Sequence, residues 1–229
     1  MRNIWILVGG VVVVVLILGG VYMTTQPDGP TPVAPAQAQG KPPAASPAAP
    51  ATVPAGLQPV ETDHVLGNAD APITIVEYAS MTCSHCAAFH NEILPQLKTK
   101  YIDTGKVKLV YRDFPLDRVA AQAAQLAECV DRDRYFGVVA TIFQTQSHWA
   151  ASKEPLADLQ KLLRLAGLGE AQAKACLDNQ KGLEAILAEQ QGGVALGVDS
   201  TPTLFVNGQR FGGARTMQAF DELFAKYLK

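Results

Sequence analysis

Charge is scarce in this chain, and neither sign dominates. Charged residues make up 17 % of its 229 residues, and the formal net charge is −2. No global charge draws it toward nucleic acid or an anionic surface. Cysteine is sparse too, with four residues: Cys83, Cys86, Cys129 and Cys176. There is one C-x-x-C, no second copy of it, and no H-x-x-x-H. A structural zinc site usually takes four ligands, so a zinc half-site here lacks its other half. His64 and His90 are available as recruits, but their spacing does not demand it. Ala87 follows Cys86, so the motif is not C-x-x-C-H and covalent haem attachment is excluded. No metal or other cofactor is expected.

The N-terminus carries a long apolar run. Arg2 precedes Ile4 to Met23, an unbroken apolar stretch. At 1.5 Å per residue, a helix of about 20 residues spans roughly 30 Å, the thickness of a bilayer core. The run is longer than a cleavable signal's apolar region, and Thr24-Thr25-Gln26-Pro27 is a poor cleavage site. Residues 1–23 are therefore expected to be an uncleaved single-pass anchor of a bacterial inner membrane. Arg2 stands before the span, and the first basic residue after it is Lys41. That places the N-terminus in the cytoplasm and the remainder in the periplasm or another extracytoplasmic space.

Residues 24–59 hold ten of the fifteen prolines, mixed with Ala, Gln and Thr. Such a stretch has few backbone donors and no apolar period. It reads as an extended, disordered linker reaching on the order of 100 Å. The remaining 170 or so residues suffice for one domain with its own core.

Within residues 60–229 the pattern is β-α-β, a helical block, then β-β-α. Ile73 to Tyr78 is β-branched and apolar, and predicts a strand. A helix is expected from about Ser84 to Lys100, and a second strand over Val107 to Arg112. Between 116 and 196, apolar residues recur at helical spacing, as in Leu156, Leu159, Leu162, Leu163 and Ala166, and four or five short helices are expected. Strands return at Thr203 to Val206 and Gln209 to Phe211, joined by Asn207-Gly208, a two-residue hairpin signal. A helix over 216–228 closes the chain. The fold class is α/β, a thioredoxin-type core split by a helical insertion.

Cys83-Ser84-His85-Cys86 falls where a strand ends and a helix begins. Cys83 then sits at the helix start, where free N–H groups and the helix dipole favour an anion. The thiolate is the nucleophile and a good leaving group, so this placement governs reactivity. A helix terminus supplies at most about 2 kcal/mol, roughly 1.5 pKa units. Further activation is assigned to His85, read as the residue tuning the potential, with a structural histidine as the alternative.

Ile75-Val76-Glu77-Tyr78 before Cys-Ser-His-Cys, together with Ser200-Thr-Pro-Thr-Leu-Phe-Val-Asn-Gly208, resembles the DsbA-like branch of the thioredoxin superfamily. The likeness covers residues 60–229. It implies a thiol–disulfide oxidoreductase with Cys83 attacking and Cys86 resolving. It implies a cis Pro202 packed against the active site, and a Thr201 backbone that binds a substrate strand. Family members also carry a buried carboxylate at the place of Glu77, which would accept the Cys86 proton. The alternative for Glu77 is a strand-edge residue facing water. Ser84 departs from the Pro-His of the family's strongest oxidants and leaves the potential open.

Cys129 and Cys176 lie in helical segments without basic or histidine neighbours, so they do not read as a second catalytic pair. In an oxidising compartment they are expected to form a structural disulfide, against the alternative of two buried thiols. Closing 47 residues is worth roughly 4 kcal/mol in the chain-entropy model. The expected partners are exported cysteine-containing clients and a membrane redox partner, either a quinone-linked oxidase or a thiol reductant. An oxidase is favoured, because isomerases typically carry an N-terminal dimerisation domain where this chain has a tether. The alternatives are a disulfide isomerase or reductase, and a non-catalytic metal-binding or chaperone module.

Overall fold

The structure, a computed structural model, describes residues 53–228. The apolar run over 4–23 and the Pro/Ala-rich residues 24–52 lie outside the described residues. Among the described residues, no helix is long and apolar enough to cross a membrane.

Five strands form one sheet: β1 (His64–Leu66), β2 (Ile73–Ala79), β3 (Val107–Asp113), β4 (Thr203–Val206) and β5 (Gln209–Arg210). Their order is β1-β3-β2-β4-β5, with β2 and β3 parallel and the other pairs antiparallel. β2 is central, which explains why its sequence is apolar on both faces. Ile73 and Ile75 pack with Phe89, Leu97, Phe220 and Phe224 on one face. Val76 and Tyr78 pack with Val110, Phe114 and Phe205 on the other. Asn207 and Gly208 both have positive φ, 46° and 83°, as the tight turn between β4 and β5 requires.

The helix after β2 is not uniform. α1 (Ser84–Ala88) continues through π-helical Phe89–Ile93, then α2 (Leu94–Leu97), then π-helical Lys98–Ile102. The inserted block contains six helices rather than four or five. They are α3 (Arg118–Ala127), α4 (Tyr135–Gln144), α5 (Gln146–Trp149), α6 (Pro155–Leu165), α7 (Glu170–Leu177) and α8 (Gln180–Ala195). α5 follows α4 after a single residue, Thr145, so the sequence gives little sign of a boundary. Asp117 caps α3 by accepting from the Ala120 amide at 2.8 Å. The final helix, α9 (Met217–Phe224), is capped by Thr216 and stops short of the expected 228.

Packed chain starts before residue 60. Ala55–Leu57 form a 3₁₀ turn, and Leu57 is buried against the face of the sheet that carries Val76 and Tyr78. Arg112, itself buried, holds this segment. Its guanidinium donates to the Gly56 and Gln58 carbonyls, to the Tyr78 hydroxyl and to both oxygens of Asp63. On the same face, Gly193 of α8 lies where an added Cβ would come within 2.9 Å of the Tyr78 ring.

Candidate active site

β2 ends at Ala79, and five residues later the chain enters α1. Cys83 is the residue just before that helix, with extended backbone (φ −78°, ψ 119°). Its position leaves the first amides of the helix facing its sulfur. Cys83 is half-buried and Cys86, one turn on, is fully buried; both are unpaired thiols. The Thr201–Pro202 bond is cis, and the Thr201 carbonyl accepts from the Cys83 thiol at 3.3 Å. The structure thus brings residues 83, 86, 201 and 202 together.

The two thiols have opposite electrostatic surroundings. The Cys83 thiol is lowered from 9.0 to about 5, chiefly by the hydrogen of the Cys86 thiol, with help from Thr201 and from the Cys86 and His85 amides; partial burial opposes this. The Thr201 hydroxyl is enclosed and has no other hydrogen-bond partner. Such a fall is larger than the helix terminus alone supplies. Cys86 is pushed well above the ordinary thiol range, first by burial, then by its bond to Cys83 and by the charge of Glu77.

Ser84 and His85 are exposed, and neither side chain makes a hydrogen bond among the described residues. His85 contributes its amide to the Cys83 sulfur, and its ring lines a cavity of about 200 Å³ with Ala88, Phe89, Glu92, Ile93 and Arg215. A second cavity, about 220 Å³, is lined by Ser200, Pro202 and Phe211 among others, and it shares Arg215.

Glu77 is fully buried, not turned to water. Both its oxygens meet His90 Nε2, at 3.1 and 3.0 Å. His90 was visible in sequence only as a conceivable metal ligand. It stands four residues after Cys86, so the same helix face carries both inward. Gln146, on α5, is a further residue that the motif does not reveal. Its amide donates to the carbonyls of Met81 (2.8 Å) and Cys83 (3.0 Å), fixing the loop before α1 from the inserted block. Cys129 and Cys176 are joined as a disulfide with Cα atoms 6.0 Å apart. Among the described residues, no group of three or more His, Cys, Asp or Glu is placed to hold a metal ion.

A thioredoxin core opened by a helical block, with a C-x-x-C at a helix start facing a cis-proline loop, defines a class, and comparison with known proteins agrees. The family model described as Thioredoxin matches residues 59–226, and the chain belongs to that family, in its DsbA-like branch. A Rickettsia conorii protein named as a protein-disulfide oxidoreductase is 38 % identical over 155 residues, covering 66 % of this chain and 56 % of its own. A Bacillus anthracis protein named as disulfide bond formation protein D is 29 % identical, covering 64 % and 70 %. The crystal structure of Wolbachia pipientis alpha-DsbA1 superposes with a TM-score of 0.70 at 31 % identity, covering 75 % of this chain and 93 % of that one. The chain spans 55–58 % of the length of the Rickettsia relatives it matches.

Proposed function

We propose that this protein is a thiol–disulfide oxidoreductase that introduces or exchanges disulfides in exported proteins. The single observation that carries the reading is the asymmetry of the cysteine pair. Cys83 is reachable and held as a thiolate with a pKa of about 5, while Cys86 is buried and held as a thiol. Stabilising the Cys83 thiolate stabilises the reduced form, and a pair whose reduced form is stabilised is a strong oxidant. That favours donation of the disulfide over its reduction.

In the oxidising direction, a client thiolate attacks Cys83 of the Cys83–Cys86 disulfide. A client–Cys83 bond forms, and Cys86 leaves and takes up a proton. A second client thiolate then attacks the client sulfur of that mixed disulfide, closing the client disulfide and releasing Cys83 as a thiolate. The Thr201 backbone beside the cis-proline offers hydrogen bonds to the client strand, and the two cavities meeting at Arg215 give its side chains room. The two electrons gained leave to a membrane redox partner, a quinone-linked oxidase in this reading. The apolar run over 1–23 is read as the anchor and residues 24–59 as the tether for an extracytoplasmic domain, with packing against the domain beginning near Val53.

Equilibration with glutathione tests this. A potential well above that of the glutathione pool, together with oxidation of a reduced two-cysteine client, is the expected result. A potential near that of thioredoxin, about −270 mV, would replace the oxidase with a reductase.

A further inference from the structure

Opening and closing the Cys83–Cys86 bond moves a proton at a place water does not reach. Cys86 is 0 % exposed, and so is Glu77, the buried carboxylate whose charge it feels. A carboxylate taken out of water is costly unless it is paired. Glu77 has one such partner among the described residues. His90 Nε2 bridges both its oxygens, with the two side chains 2 % and 0 % exposed. The imidazole is held in place by rings, 4.2 Å from Phe143 and edge-on to Phe89 and Tyr111 at 5.8 Å.

The remaining groups around the pair do not share its charge. Cys86 faces it from α1 as a thiol. Tyr111 faces it from β3, its phenol kept neutral by burial. Leu204 of β4, in register with Glu77, and Phe143 of α4 are apolar. Whether Glu77 stands as a carboxylate able to take the Cys86 proton is therefore governed by one ring.

We infer that His90 is a positioning residue of the exchange reaction, keeping Glu77 ionised and aligned as the proton acceptor and donor of Cys86. This rests on the reading of Cys86 as the resolving cysteine. In the resolving step, the Cys86 proton passes to Glu77 and the sulfur attacks Cys83 of a mixed disulfide. The Cys83–Cys86 bond forms, the bond from Cys83 to the bound thiol breaks, and that thiol departs as a thiolate. His90 touches neither sulfur. Without it, Glu77 would be a buried carboxylate with no partner among the described residues, a costly arrangement for the ionised form that an acceptor needs.

Reduced protein mixed with the coloured aromatic disulfide 5,5′-dithiobis(2-nitrobenzoate) separates these claims. Attack by Cys83 releases one coloured thiolate, and attack by Cys86 on the resulting mixed disulfide releases the second. An opposite charge at this range moves a carboxylate by about 1–3 pH units, and each unit is about tenfold in the ionised fraction. His90→Leu should therefore slow the second phase about 10-fold or more at neutral pH, and shift its pH midpoint upward by at least about one unit. The first phase should stay within about twofold of wild type. His90→Gln keeps a donor but no charge, and should fall between; it carries the test if His90→Leu does not fold. In a Glu77→Gln background, replacing His90 should slow the second phase no further. An unmoved midpoint, or equal slowing with and without Glu77, overturns the inference. A wild-type protein with no second phase would instead overturn the assignment of Cys86.

Discussion

The Cys83 thiol donates to the Thr201 carbonyl at 3.3 Å, across 118 residues of sequence. That carbonyl serves only the protonated sulfur. Once the sulfur ionises, its partners are the Cys86 thiol, the enclosed Thr201 hydroxyl and the amides at the start of α1. The strengths of these donors give an ordered expectation. Cys86→Ala should raise the Cys83 pKa most from its value of about 5, because the Cys86 hydrogen is the largest contributor. Thr201→Val should raise it less and make the potential more negative, at about 30 mV for each tenfold change. His85→Ala keeps the backbone amide and should have the smallest effect. Thiolate absorbance followed against pH measures all three. A larger rise for His85→Ala than for Cys86→Ala would assign the tuning role to the imidazole.

The depressed Cys83 pKa links redox state to pH. The unfolded thiol titrates near 9.0 and the folded one near 5. A lowered folded pKa stabilises the folded state fully above the unfolded value, and the effect fades as pH falls through the folded one. Cys86, pushed upward, stays protonated across this window. The oxidised protein has no such thiolate. The melting temperature of the reduced form relative to the oxidised form should therefore climb steadily from pH 5 to pH 9. A difference independent of pH would mean that Cys83 titrates as an ordinary thiol.

The Cys129–Cys176 disulfide ties the end of α3 to α7. Protein alkylated without reduction should carry label on neither residue. Replacing both with serine should cost up to about 4 kcal/mol in denaturant unfolding, because the loop released is long. Iodoacetamide reactivity of Cys83 should be unaffected. A double-serine protein as stable as wild type would mean the bridge constrains nothing.

Gly193 lets α8 settle on Tyr78 and Phe114, which a Cβ would meet at 2.9 and 3.1 Å. Both contacts are with rings buried in the core, so they cannot easily retreat. Gly193→Ala is expected to destabilise by about 1–3 kcal/mol despite alanine's better helix propensity. Gly192, whose added Cβ would meet nothing, should gain from the same change. A midpoint for Gly193→Ala at or above that of Gly192→Ala would contradict the close approach.

Much of this was legible in the sequence where a pattern is local. β2, β3 and β4 announce themselves by β-branched runs, and the Asn207-Gly208 turn by its residue pair. Glu77 could be placed inside because its neighbours in β2 are apolar on both sides. β1 was not legible, since three residues are too few to show alternation. Nor were the π segments, which leave helical periodicity nearly intact. His90 and Gln146 escaped for another reason. Each acts across the fold, on Glu77 thirteen residues earlier and on Cys83 sixty-three earlier, and only tertiary packing brings those pairs together, helix on strand for His90 and inserted helix on loop for Gln146.

Arg112 gives the domain a mechanical fixing point. Its guanidinium grips two carbonyls of the segment entering the fold, while its own backbone belongs to β3, paired in parallel with central β2. A pull on the chain ahead of Val53 is thus carried into the sheet by hydrogen bonds that must be sheared together. Arg112 also holds the Tyr78 hydroxyl of β2, so one side chain secures both the entering segment and the central strand of the sheet.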